Sequence, residues 1–264
     1  FQVPSLYYDD QLKRLWIGTG SAGLFYYDII RKSLSDIPIR NFPKQPILAI
    51  RKDAKNTLLI GIDGQGIWNI SEKGDTILHI YKEDLNNPFS LRGDGVYDIL
   101  CDGSKNWIAT FTGKLSFFEN NNSQITPVTY QINNPNSLGN NYVNQIIEDH
   151  EGHIWFATNN GVSRWDAASN KWKHYYQNKS EQAKVFLSLC EDNQGHIWAG
   201  SYSSGIYLLD RETGKTLKHY SSKTNTPGFT GDFIFDFFVD KEGDVWIGGN
   251  QKLSCYLIRS EEHT

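Results

Sequence analysis

A four-residue phrase recurs six times along this chain of 264 residues. It reads Trp16-Ile17-Gly18-Thr19, Leu59-Ile60-Gly61-Ile62, Trp107-Ile108-Ala109-Thr110, Trp155-Phe156-Ala157-Thr158, Trp198-Ala199-Gly200-Ser201 and Trp246-Ile247-Gly248-Gly249. The copies are spaced by 43, 48, 48, 43 and 48 residues. A period of this size marks one supersecondary unit that buries its apolar faces only by stacking on copies of itself.

Each unit has the same anatomy. An alternating apolar run, such as Val143 to Asp149, is followed by a polar turn, His150-Glu151-Gly152, and then by the Trp strand. A short loop leads to Gly161-Val162-Ser163-Arg164-Trp165-Asp166, and a second turn leads to Lys171-Trp172-Lys173-His174-Tyr175. That pattern predicts four short strands per unit. No segment carries a sustained helical period. The expected fold is all-β: a β-propeller of four-stranded antiparallel blades, with six blade repeats, read as one propeller domain or fragment over 1–264. The Trp should fill the space between blades. The small residue two places on (Gly18, Gly61, Ala109, Ala157, Gly200, Gly248) should let neighbouring sheets approach.

Three junctions are longer and share a phrase: Asn86-Asn87-Pro88-Phe89-Ser90-Leu91, Asn133-Asn134-Pro135-Asn136-Ser137-Leu138, and a degraded Asn225-Thr226-Pro227-Gly228-Phe229. They are expected to be loops from the outer strand of one blade to the inner strand of the next.

Read together, the units give Asp-x-x-Gly-x-[Ile/Val]-Trp-[Ile/Phe/Ala]-[Gly/Ala]-[Thr/Ser], then Gly-[Val/Ile/Leu], then Asp, with Asn-Pro-x-Ser-Leu at the junction. This resembles the two-component-regulator propeller repeat. It is clearest over 9–28, 148–166 and 191–210. Leu59, Lys114 and Lys252 depart from the pattern. The resemblance implies the periplasmic sensor domain of a membrane hybrid two-component histidine kinase that responds to glycan fragments, with a second propeller or a dimer partner beside it. Kinase modules and a membrane helix would lie outside this segment. It also implies a seven-bladed ring, for which six blades are in hand. The sixth ends in its third strand, so its outer strand is expected to be missing or very short. A start at Phe1 and a lack of Met suggest a piece or processed form of a longer protein.

Chemistry is sparse. The net charge is −4 and no basic run stands out, which argues against a nucleic-acid surface. Cys101, Cys190 and Cys255 sit in apolar runs and read as buried small hydrophobes. His153, His196, His174 and His219 recur at repeat positions and read as packing or solvated residues. His79, His150 and His263 have no companions at ligand spacing, so no metal and no cofactor is expected. Asp10, Asp53, Asp149, Asp192 and Asp240 lie six residues before the key Trp or Leu and read as turn formers. Asp63 to Gly66 and Gly93 to Gly95 also read as turns. No paired acid and base for glycoside hydrolysis is evident, so no catalytic residue is assigned. The alternative class is a propeller enzyme, a lyase or hydrolase, working at the central channel.

Alternating strand direction puts the junctions and the loops after the Trp strand at one end of the sheets. Those loops vary between units, and variable loops on a rigid scaffold are where binding usually lives. The candidate ligand-binding residues are therefore Asp63, Gln65, Phe111, Asn159, Asn160, Tyr202, Asn250 and Gln251, facing an oligosaccharide or other small ligand.

The third unit has an anomaly. Asp102 is only five residues before Trp107, and Asn106 is polar where the other units are apolar. Together with the lack of Met, this predicts that one apolar residue has been lost between Asn106 and Trp107.

Overall fold

The computed structural model describes residues 2–176, 184–222, 231–250 and 253–257. The chain packs as two compact units, Phe1–Val128 and Thr129–Thr264. Unit 1 holds three sheets: β1 (Ser5–Asp9) to β4 (Ser33–Asp36), β5 (Ile47–Lys52) to β8 (Ile77–Tyr81), and β9 (Val96–Cys101) to β12 (Thr126–Val128). Unit 2 holds β13 (Val143–Glu148) to β16 (Lys171–Tyr175), β17 (Phe186–Glu191) to β20 (Thr216–Tyr220), and β21 (Ile234–Val239) to β23 (Leu253–Tyr256). Within each sheet the strands follow chain order, and every pair is antiparallel. These are the blades that the repeat predicts. The third copy of the junction phrase and everything after Leu257 lie outside the described residues.

First strands of successive sheets touch, β1 on β5 and β5 on β9 in unit 1, and β13 on β17 and β17 on β21 in unit 2. The repeat residues explain that contact. A Cβ on Gly18 would lie 2.7 Å from Ile47 of the next sheet, one on Gly61 2.8 Å from Val96, and one on Gly200 2.6 Å from Ile234. Real Cβ atoms do not approach so closely, so glycine is what permits the spacing. The Trp fills what remains. Trp155 packs with Phe186 and Leu189 of the following blade, and Trp198 with Ile234 and Phe237. Both indoles are essentially inaccessible.

Burying an indole leaves its N–H to satisfy. The turn aspartate does this. Trp107 Nε1 donates to Asp102 Oδ2, Trp155 to Asp149, Trp198 to Asp192 and Trp246 to Asp240, each at 2.8 Å. The other oxygen holds the turn: Asp149 Oδ1 accepts from the backbone N–H of Glu151 and His153. Where Leu59 replaces Trp, the Thr57 hydroxyl donates to Asp53 Oδ2 instead, at 2.8 Å. The first blade departs from the expected pattern. Its turn carboxylate is Asp9, not Asp10, because the turn between β1 and β2 is one residue longer than in the second blade: Tyr8 pairs with Leu15, where Lys52 pairs with Leu58. Asp9 Oδ2 accepts from Lys52 Nζ of the second blade, and the buried Trp16 Nε1 has no partner.

The third blade carries its short turn without a break. β10 (Lys105–Thr110) pairs continuously through Asn106 and Trp107 with both neighbours. The turn itself is one residue tighter, and Asp102 still reaches the indole. Asn106 is buried in the apolar position. Its Nδ2 donates to Asn120 Oδ1 at 2.8 Å, while its Oδ1 has no partner. Cys255 is a second correction: it is exposed on β23, whereas Cys101 and Cys190 are partly buried. Burial pushes the Cys101 thiol up to about 12, far from a reactive thiolate.

Asp149→Ala should cost about 2 kcal/mol in chemical denaturation, since it leaves a buried indole N–H unpaired; Asp240→Ala should cost less, because Trp246 is 38% exposed. Burial would raise the Asp149 carboxyl, but the Trp155 and His153 hydrogen bonds outweigh it and hold it below the ordinary range. Its stabilising contribution is thus complete above the unfolded pKa of about 3.9 and is lost as pH falls through the lower folded value. Asp149→Asn should flatten that acid limb. Separately, Asn106→Leu should raise stability by about 1 kcal/mol by removing the orphaned carbonyl.

Candidate functional site

The two ends of the blades are chemically different. At the turn end, carboxylates and histidines are engaged with the scaffold. His153 and His196 rings sit on Asp149 and Asp192 at 3.0 and 3.3 Å. Between the fourth and fifth blades, Arg211 Nη2 donates to Glu151 Oε1 at 2.6 Å, and His150 Nδ1 lies 2.5 Å from Glu191 Oε1. No group of three or more His, Cys, Asp or Glu residues at metal-holding distance occurs among the described residues.

The opposite end is built by the junctions and the loops after each Trp strand, as the strand order predicts. Backbone bonds tie the two loop sets together: Asp63 N–H to Pro46 O, Phe111 N–H to Gly95 O, Asn159 N–H to Tyr142 O, and Tyr202 N–H to Val185 O. The shared junction phrase forms one repeated knot. Asn87 and Asn134 Oδ1 accept from the N–H two residues on, Ser90 and Ser137 bond back across the loop, and Leu91 and Leu138 are fully buried anchors.

A second device shapes this end. In five blades the first strand carries a β-bulge at its loop-end start, so that Leu48, Tyr97, Asn144, Leu187 and Phe235 are the extra residues. A bulge breaks the alternation of the strand and re-aims the side chain at that point. In the first blade, β1 pairs with no such shift.

The candidate residues divide into groups. In unit 1, Asp63 and Phe111 come together around Gly95: Asp63 Oδ1 and Phe111 Cβ each lie 3.2 Å from where a Gly95 Cβ would stand. The bulge residue Tyr97 joins them. Its ring centroid is 5.2 Å from that of Phe111, and the two residues are 37% and 62% exposed. Partial burial pushes the Tyr97 phenol up, and the neighbouring Asp63 charge adds to it, so this hydroxyl is a persistent donor. Gln65 is half-buried on the same loop, its Oε1 accepting from Lys82 Nζ at 3.2 Å. In unit 2, Tyr202 is exposed and meets Phe233 edge-on at 5.1 Å. Asn250 is exposed, and Gln251 lies outside the described residues.

Asn159 and Asn160 are half-buried. Asn144 Nδ2 donates to Asn159 Oδ1 at 2.9 Å and to Phe186 O at 2.7 Å, so this pair joins the fourth blade to the fifth. Asn160 N–H caps onto Thr158 Oγ1. The sequence pattern missed Tyr97 because the period assigns it to a strand. The signal lay in the aromatic residue at a position held by Leu or Asn in three other blades. If Asn159 serves the scaffold, Asn144→Ala and Asn159→Ala should each lower stability by about 1 kcal/mol, and the double variant by less than the sum.

Similarity to known proteins agrees with this architecture. The two component regulator propeller family model matches residues 137–160, 180–203 and 228–251. No curated protein sequence matches the chain. Among solved structures, PorZ, a surface component of the type-IX secretion system of Porphyromonas gingivalis, superposes with a TM-score of 0.71 at 16% identity, over 93% of this chain and 37% of that one. Streptogramin B lyase gives a TM-score of 0.66 at 14% identity, over 98% of this chain and 84% of that one. The extracellular domain of a hybrid two component system from B. thetaiotaomicron matches at 20% identity over 98% of this chain and 41% of that one, with a TM-score of 0.45. The chain thus spans well under half of the PorZ and two component structures. At these identities the likenesses to PorZ and streptogramin B lyase establish the fold alone. No helix among the described residues is long and apolar enough to cross a membrane. The chain is a β-propeller fold, and over residues 137–160, 180–203 and 228–251 it is similar to the two component regulator propeller family.

Proposed function

We propose that this segment is the extracytoplasmic ligand-sensing part of a two-component regulator, that it binds glycan fragments or similar small ligands at the loop end of its blades, and that it performs no catalysis. The observation that carries this reading is the contrast between the two ends. Turn-end polar groups are engaged in holding indoles and strand pairs. The loop end presents solvent-exposed aromatic rings, Phe111 and Tyr202, at the same repeat position, directly after the Trp strand. An exposed ring beside carboxamide or carboxylate groups offers a stacking face and hydrogen-bond acceptors together, which suits a sugar. The repeat family supports the sensor assignment, since three of its copies match. Kinase output, membrane attachment and a seventh blade would then belong to sequence beyond this chain.

Calorimetric titration against an oligosaccharide library tests the reading. A binder is expected whose affinity falls at least about fivefold with Phe111→Ala or Tyr202→Ala, in line with losing one ring contact. His153→Ala, at the turn end, should leave it unchanged. Loss of binding on His153→Ala, with both aromatic variants silent, overturns the choice of face. Turnover of any such ligand by the purified chain overturns the non-catalytic assignment.

A further inference from the structure

Aromatic rings in this chain are repeatedly covered by the chain's own cations. Arg14 Cζ lies 4.4 Å over the Tyr26 ring. Lys105 Nζ lies 4.5 Å over Phe117 and 5.6 Å over Trp107. Lys184 Nζ lies 4.5 Å over Tyr207 and 5.2 Å over Tyr176, and donates to the Tyr207 hydroxyl at 2.9 Å. The ring quadrupole attracts a positive charge placed over its face, which is why these positions fill.

The Tyr97–Phe111 pair has the same rings and no such cover. Among the described residues no cation lies over either ring, although both are exposed to solvent. Asp63 stands beside them, and among the described residues its carboxylate makes no hydrogen bond or ion pair. Lys82, the lysine that touches this loop, is held on Gln65 Oε1. The Tyr202–Phe233 pair of unit 2 is likewise without a covering cation among the described residues but differs in two other respects. Its rings meet edge to face, and the adjacent carboxylate, Asp232, already accepts from the Ser222 backbone and hydroxyl. Two solvent-exposed rings and a carboxylate without a partner among the described residues make a place complementary to a positive charge.

We propose that the cluster of Asp63, Tyr97 and Phe111 binds an organic ammonium group, such as the protonated amine of an amino sugar. The inference rests on the reading of the loop end as the ligand face and narrows it from sugars in general to cationic ones. The carboxylate supplies the charge partner, the two rings the cation-binding faces, and the Tyr97 hydroxyl a donor to a ring oxygen or hydroxyl. Gly95 leaves room for Asp63 and Phe111 to face one ligand, since any side chain there would press on both.

Titration of the whole chain with glucosamine, N-acetylglucosamine, glucose and choline at about pH 6, where a sugar amine is protonated, tests this. N-acetylation keeps the sugar ring and removes the charge. Glucosamine and choline should bind at least about fivefold tighter than glucose and N-acetylglucosamine, and added salt should erode the difference. Choline matching glucosamine assigns the affinity to the ammonium alone; a tighter glucosamine assigns part of it to the sugar. Either supports the proposal. Asp63→Asn and Phe111→Leu should each abolish the preference, while His153→Ala, at the turn end, should preserve it. Equal binding of all three sugars, insensitive to Asp63→Asn but weakened by Phe111→Leu, overturns the ammonium site and leaves the ligand face standing. Binding that ignores both variants and is lost on His153→Ala overturns both.

Discussion

The carboxylate in the first turn of each blade is the group on which the blades depend, and in four of them it also accepts the hydrogen bond of a tryptophan indole. A four-stranded sheet of this size has two apolar faces and no core of its own. It becomes stable by pressing those faces on the next sheet, and the Trp at the second strand is the residue large enough to fill the gap. The same ring brings a polar N–H into a dry place, where an unpaired donor costs about 1–3 kcal/mol. One aspartate answers the indole with one oxygen and the turn backbone with the other. Core packing and turn geometry are therefore set by a single side chain, as at Asp149 and Asp192.

The exceptions show which part of this arrangement is obligatory. With Leu59 there is no indole, and Thr57 takes the vacated oxygen of Asp53. With Asp9 the oxygen goes to Lys52 of the neighbouring blade, which Glu72 also holds at 2.5 Å, and Trp16 keeps an unpaired N–H. In every blade the carboxylate still organises its turn. What it does with the remaining oxygen varies. The turn is the constant, and the indole bond is its commonest use.

Much of this was legible in the sequence because a repeat averages out local noise. Six copies of one phrase fix blade number, strand order and the end at which each loop emerges, whatever any one copy does. The same averaging hides what a single copy does alone. Asp9 and Asp10 are adjacent carboxylates, and counting six back from Trp16 selects the wrong one because this turn is one residue longer than that of the second blade. Cys255 lies in an apolar run but on a third strand that faces solvent. Asn159 looks like a free loop amide, yet Asn144 holds it, and that contact spans residues whose proximity depends on a bulge. Tyr97 was invisible for the same reason: period-two alternation assigns a direction to each strand residue, and a bulge breaks the alternation at just that point.

The bulges also explain how one rigid scaffold can present different chemistry in each blade. At the turn end, a short loop must reproduce a fixed geometry, so composition there is constrained to Asp, Gly and a few partners. At the loop end, the bulge lifts one residue of the first strand out of the ladder in five blades. That residue no longer has to match a cross-strand neighbour, and it is free to be Leu48, Tyr97, Asn144, Leu187 or Phe235. Beside it stands the first residue after the Trp strand, equally unconstrained, as with Phe111 next to Tyr97. Each blade thus offers two adjacent positions whose identity the fold does not dictate, at the end where the junctions also vary. Where both positions are aromatic and a neighbouring loop contributes Asp63, a recognition site can arise without altering any residue on which the packing of the sheets depends.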